Sequence, residues 1–137
     1  MEYLRDTTIY KLLTVQKKLV TAVKQDFSEV DITHENYITL HFIYENPGIS
    51  QTELAELNSK DKNVIVKTID RLEANGLVQR KSAGGDRRTN SLYVTDEGIR
   101  TIGRYWESLV RRQDEALTPL TDEEKEQLDA LLEKILG

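Results

Sequence analysis

The chain has 137 residues, 38% of them hydrophobic and 31% charged, with a formal net charge of −5; this length suits one domain with a modest core. It contains no cysteine, which excludes disulfides, thiolate metal sites and thiol-based redox sensing. No apolar run comes near the ~20 residues of a membrane span, and Met1-Glu2-Tyr3-Leu4-Arg5-Asp6 lacks the basic-then-apolar layout of a signal peptide, so a cytoplasmic protein is expected.

From Thr7 to Phe27 the apolar residues Ile9, Leu12, Leu13, Leu19, Val20, Val23 and Phe27 recur at helical spacing without Pro or Gly, which predicts a first helix. Ser28 to Ile32 interrupts it. Thr33 is placed to cap a second helix, and Asn46-Pro47-Gly48 stops it. That helix carries Tyr37, Ile38, Leu40, Phe42, Ile43 and Tyr44. Being apolar on more than one side, it is expected at the centre of the fold, buried on more than one side.

Ser50 and Glu53 stand at capping-box spacing ahead of Leu54, Ala55 and Leu57, a short third helix. Asn58 and Ser59 form a turn, and Asp61 or Ser59 caps a fourth helix with the stripe Ile65, Ile69, Leu72. Asn75-Gly76 is its stop, because glycine takes the left-handed conformation at low cost. Strand-forming residues at Val78–Lys81 and Leu92–Val94 flank the turn cluster Ala83-Gly84-Gly85-Asp86, which predicts a hairpin with Arg87 and Arg88 at or just past its tip. Thr95-Asp96-Glu97 opens a further helix, with acids suited to the dipole.

Along that helix Ile99, Ile102, Trp106, Leu109, Val110 and Leu117 recur at three- and four-residue steps, and Thr118-Pro119-Leu120 ends it. Thr121-Asp122-Glu123-Glu124 reads as a capping box before a last stripe of Leu128, Leu131, Leu132, Ile135 and Leu136.

A short helix, a turn, an amphipathic helix and a hairpin with a basic tip, in that order, make a helix-turn-helix followed by a wing. This layout lays one helix in a DNA major groove while a loop reaches the neighbouring backbone. The expected fold is mainly α with a small β-hairpin wing: a single domain over residues 1–137, with a winged helix-turn-helix core at about 33–95. The helices at about 6–27 and 96–137 exceed what such a core needs to cover itself. Their apolar stripes need a partner surface, and a second copy of the chain is the economical one.

Three segments resemble the MarR (multiple-antibiotic-resistance regulator) family of bacterial winged-helix regulators: Gln51-Thr52-Glu53-Leu54-Ala55; Ile69 to Val78, reading IDRLEANGLV; and Asp86-Arg87-Arg88 followed by Leu92-Tyr93-Val94-Thr95-Asp96-Glu97-Gly98. Length and terminal helices extend the likeness over essentially the whole chain. The resemblance implies a homodimer on a palindromic operator in double-stranded DNA, and a repressor released by a small-molecule effector. It also implies that Arg88, third residue of the Asp-x-Arg pattern, enters the groove while Arg87 holds phosphate or the loop. With no cysteine, the chain falls outside the family's cysteine-based peroxide sensors. It departs from the family where Val64 and Val66 replace small hydroxyl residues, so fewer hydrogen bonds to bases are available.

The overall negative charge argues against nucleic acid, but its distribution answers this. Residues 59–90 hold eight basic groups against four acids, a local +4 that leaves −9 on the rest of the chain. Phosphate attraction acts over a Debye length of about 8–10 Å, so local sign outweighs the total. The candidate DNA-contact residues are Gln51, Lys60, Lys62, Asn63, Val64, Val66, Lys67, Arg71, Arg87 and Arg88, with Asp86 supporting the wing. Amide and basic side chains reach base edges and phosphates, and an exposed valine can touch a thymine methyl.

Tyr37, His41, Tyr44, Tyr105 and Trp106 are candidates for an effector pocket, since aromatic groups with a polar handle suit a small flat aromatic ligand; plain core packing is the alternative. His34 and His41 lie on one face of the second helix, but two histidines do not make a zinc site, so no metal and no cofactor are expected. No nucleophile elbow, phosphate-binding glycine loop or convergent Ser/His/Asp set is present, so an enzyme is not expected. Two other readings stay open. A winged-helix module that binds protein would not need arginines at the wing tip, and a helical dimeric ligand sensor without DNA binding would not need the hairpin.

Overall fold

Six α-helices and three short strands follow one another in the described part of the chain. The computed structural model describes residues 2–27, 32–82 and 90–137. After a 3-10 turn at Leu4–Asp6 come α1 (Thr8–Asp26), α2 (His34–Glu45), β1 (Ile49–Ser50), α3 (Gln51–Leu57), α4 (Lys62–Ala74), β2 (Val78–Ser82), β3 (Asn90–Val94), α5 (Asp96–Ala116) and α6 (Asp122–Leu136). They form two compact units: residues 27–106, and residues 1–26 with 107–137.

In the unit of residues 27–106 the helix starts are set by side-chain caps. The Thr33 side chain accepts from the Asn36 N–H, Ser50 from Glu53 and Asp61 from Asn63. Each satisfies one N–H that the helix itself leaves unpaired, typically worth about 1 kcal/mol. Of the two residues that could cap α4, Asp61 does so, while Ser59 takes the left-handed turn with φ 50°.

The stripe of α4 is the one its periodicity predicts: Ile65, Ile69 and Leu72 are all buried. They join Leu40 and Ile43 of α2, Leu54 of α3, and Leu92 of β3 in the core. Burying an aliphatic side chain of this kind stabilises the fold by about 1.5–3 kcal/mol. Along α2 a second side is covered in part, with Ile38 and Phe42 half-buried. Tyr37, Leu40 and Ile43 are buried, but Tyr44 is 49% exposed; its hydroxyl can stay in water while the ring leans on its neighbours.

Past Asn75, Gly76 sits at φ +75°, its N–H bonds to the Glu73 carbonyl and the Leu77 N–H to the Leu72 carbonyl. This pair of bonds is the Schellman stop, and it turns Leu77 back into the core. The expected hairpin proves to be part of a three-stranded antiparallel sheet of order β1-β3-β2. Val78 pairs with Val94 and Ser82 with Asn90, while Ile49 of β1 pairs with Leu92. A two-residue strand carries no readable alternation, which is why β1 escapes sequence analysis.

Gly98, in the first turn of α5, is required by close approach: a Cβ there would run into the Leu77 carbonyl and the Val94 side chain. The absent side chain lets the helix start lie directly against the β2 entry. Thr95 caps this start, its hydroxyl oxygen accepting from the Gly98 N–H and its hydroxyl donating to the Gly76 carbonyl at 2.6 Å.

In the other unit, Asp26 at the end of α1 is gripped by α5. Arg112 reaches both carboxylate oxygens, at 2.6 and 3.0 Å, while Arg111 and the Ser108 hydroxyl also donate to it. Arg112 above all, then Ser108, holds this carboxyl well below the usual carboxylate range. The capping box of α6 is complete: Thr121 accepts from the Glu124 N–H and Glu124 from the Thr121 N–H. Yet α6 buries none of its residues, and Leu131 and Ile135 are 59% and 73% exposed. Ile9, Leu13 and Val15 of α1 are likewise open.

Candidate nucleic-acid interface

The core stripe of α4 decides what the opposite face shows. With Ile65, Ile69 and Leu72 turned inward, Lys62, Asn63, Val64, Lys67, Asp70 and Arg71 are exposed. Val66 and Thr68 lie part-buried at the margins, so of the two valines only Val64 stands fully out. Steps of four and three residues put Asn63, Lys67, Asp70 and Arg71 on one outer strip. The strip carries ammonium, guanidinium and amide donors around an exposed aliphatic group. These suit phosphates and base edges together.

The turn leading into α4 is held from below. The Asn58 N–H bonds to the Leu54 carbonyl, Lys60 N–H to Ala55, and the Asn58 side-chain amide donates to Thr39 Oγ1 at 2.8 Å. Thr39 is buried and in turn donates to the Glu35 carbonyl. Sequence reading treats Asn58 only as a turn former; a partner 19 residues away leaves no local signal. Lys60 is exposed but lies 3.7 Å from Glu35, a surface pair worth little. Gln51, the other predicted contact on the N-terminal side, is part-buried with its Oε1 enclosed. It is therefore less available than the α4 residues.

Sequence reading missed the role of Arg80 on β2. Its guanidinium lies 2.5 Å from Asp70 and 3.0 Å from Glu73, both on α4, and its backbone N–H also donates to Glu73. Lys81 next to it lies over the Tyr93 ring, 4.8 Å from the centroid, a cation–π contact. Asp86, Arg87 and Arg88 lie outside the described residues.

The five aromatic candidates do come together. Tyr37 and Tyr105 stack with centroids 3.6 Å apart, His41 stacks on Trp106 at 5.6 Å, and Tyr44 lies 5.9 Å from His41. His34 and Phe27 close the cluster on Tyr105. Burial pushes the Tyr37 and Tyr105 hydroxyls up to about 12, so both are neutral. Burial also lowers His34, against the opposing pull of Glu35. Neutral His34 can thus accept a hydrogen bond at Nδ1 from the Tyr105 hydroxyl, 2.5 Å away. His41 is held between the Tyr37 hydroxyl at 3.3 Å and Glu45 at 3.0 Å. Tyr37 and Tyr105 are closed against one another. The side of the cluster open to solvent is Trp106, 52% exposed, with Tyr44.

A family model described as the MarR family matches residues 30–89. The uncharacterized HTH-type transcriptional regulator YybA of Bacillus subtilis (strain 168) is 34% identical over 115 residues, covering 80% of this chain and 73% of that protein. The chain belongs to the MarR family. It is a winged-helix, DNA-binding transcriptional regulator. Among solved structures, the transcriptional repressor CouR bound to a 23-mer DNA duplex superposes with a TM-score of 0.84 at 25% identity, over 100% of both chains. BpsR of Bordetella bronchiseptica, whose DNA binding is regulated by 6-hydroxynicotinic acid, shares the fold with a TM-score of 0.82 at 16% identity, over 100% of this chain and 98% of that one. Among the described residues no helix is long and apolar enough to cross a membrane, and no group of three or more His, Asp or Glu could hold a metal ion.

Proposed function

We propose that this MarR-family regulator acts in the cytoplasm as a homodimeric repressor, with α4 as its recognition helix and a small aromatic effector as its release signal. The observation that carries the reading is the outer face of α4: Lys62, Asn63, Val64, Lys67 and Arg71 stand exposed above a fully buried Ile65, Ile69, Leu72 stripe. Lysine and arginine would hold phosphate, Asn63 is the amide suited to adenine, and Val64 is placed for a thymine methyl. Arg87 and Arg88, on sequence grounds, would add the wing's grip.

The dimer reading rests on the uncovered apolar residues of α1 and α6. Charge supports it: α1 carries Lys11, Lys17, Lys18 and Lys24 against Asp26 alone, while α6 carries six acids and two lysines. Apolar stripes flanked by opposite charge suit a two-fold contact between copies. Such a pair would set two α4 helices on half-sites of a palindrome about 34–36 Å apart, one duplex turn. For the effector, Trp106 and Tyr44 beside His41 offer flat apolar area with polar handles, and the regulated BpsR shares the fold.

Titration of the protein with labelled duplex from the DNA preceding its own gene tests the reading. Tight, salt-sensitive binding at a stoichiometry of two chains per palindrome is expected, together with release by a member of a phenol and aromatic-acid panel. Failure to bind any duplex at low salt would sink the DNA role of α4.

A further inference from the structure

The outer face of α4 contains an anomaly. Asp70 and Glu73 are 60% and 43% exposed on the helix proposed to meet phosphate, and the sequence places Asp70 beside Lys67 and Arg71. Two carboxylates there oppose three cations. Arg80 is the group that meets them. It comes from β2, is only 18% exposed, and contacts both acids through separate guanidinium nitrogens. A guanidinium enclosed by its own partners is not itself presented to a phosphate. Its planar fork, by contrast, suits two carboxylates at once.

We propose that Arg80 is a positioning residue that masks the negative charge of Asp70 and Glu73, and so lets the cations of α4 act on DNA. This rests on the reading of α4 as the recognition helix. With Arg80 in place, the helix and its mask present a net positive face. Without it, two bare carboxylates stand within a Debye length of any phosphate that Lys67 or Arg71 could reach. Two other roles are possible for such a residue, direct phosphate contact and a purely structural clamp of strand to helix, and charge reversal logic separates them. Masking alone predicts that removing the acids removes the need for the arginine.

Fluorescence anisotropy with a 30-base-pair mixed-sequence duplex, and with the fragment preceding the protein's own gene, is measured from 50 to 200 mM salt. Arg80→Gln is expected to weaken binding about tenfold at 50 mM, the deficit shrinking as salt screens the carboxylates. Arg80→Gln combined with Asp70→Asn and Glu73→Gln is expected to return to within about threefold of wild type. Arg80→Lys keeps the charge without the fork and is expected to stay near wild type. It also serves as the second variant should Arg80→Gln fail to fold, which circular dichroism reports. A triple variant as weak as Arg80→Gln would overturn masking in favour of contact or clamp, and Arg80→Lys as weak as Arg80→Gln would do the same. Wild-type protein that binds neither duplex would overturn the DNA reading itself, whereas wild-type binding without rescue removes only the mask.

Discussion

Lys67→Ala is the sharpest test of whether α4 meets DNA. Lys67 is exposed on the outer strip, so truncating it should change stability by no more than about 0.5 kcal/mol. If its ammonium neutralises one phosphate, a two-fold dimer loses two such contacts. At about 0.9 released counterions per phosphate, the slope of log affinity against log salt should then fall by about 1.8. Salt rising from 50 to 200 mM is a fourfold change, so the affinity ratio between wild type and variant should narrow by roughly tenfold across that range. Anisotropy titrations at four salt concentrations with one fixed duplex measure this directly. Arg71→Ala, one step along the same strip, should behave alike. Parallel lines with unchanged affinity for both variants would show that this face does not meet DNA.

The proposed dimer and the Asp26 grip make two further predictions. Leu131→Glu with Ile135→Glu places charge where one chain leaves 59% and 73% of the side chains open, so each chain should stay folded while sedimentation shifts from dimer to monomer; an unshifted dimer at micromolar concentration would refute the interface. Asp26→Asn removes a carboxyl whose folded-state pKa is depressed by Arg112, Ser108 and Arg111. A depressed acid stabilises fully above its unfolded value of 3.8 and loses that contribution as pH falls toward its folded value. The variant should therefore melt lower than wild type at neutral pH, with the gap closing below about pH 4; a gap that stays constant or widens in acid would count against the assignment.

Local chemistry made most of the fold legible. Ile65, Ile69 and Leu72 declared their face by spacing, and Asn75-Gly76 declared the helix stop by the one residue that tolerates φ of +75°. Thr33, Asp61 and Thr121 marked helix starts because a side-chain oxygen must serve an N–H within two or three residues. What escaped depends on distance along the chain. β1 exists because Ile49 meets Leu92, and two residues show no period. Tyr44 looked like core by composition and shares a face with the buried Tyr37 and Leu40, but it stands in the last turn of α2, and how far along a helix the cover extends depends on what packs there. His34 and Tyr105 are 71 residues apart, and neither sequence neighbourhood refers to the other. At the candidate interface, sequence identified the cations of α4 and counted Arg80 of β2 in the local basic balance, although its charge is engaged within the protein.

That last difference changes the expected strength of the grip. Of the eight basic groups in residues 59–90, Arg80 is engaged with Asp70 and Glu73, while Lys60 keeps only a weak surface pair with Glu35 and Lys81 lies over the Tyr93 ring. The cations that α4 itself offers outward are Lys62, Lys67 and Arg71, three per chain and six per dimer. At about 0.9 per phosphate, six contacts give a wild-type salt slope near −5, and the two wing arginines of each chain would raise Z by four and carry the slope toward −9. One titration series thus counts the contacts: a slope near −5 fits a grip by α4 alone, and one near −9 calls for two more phosphate contacts per chain, which Arg87→Ala with Arg88→Ala would assign to the wing by returning the slope to near −5. A slope of −2 or shallower would leave too few contacts for either, and would favour a winged-helix surface that binds something other than duplex DNA.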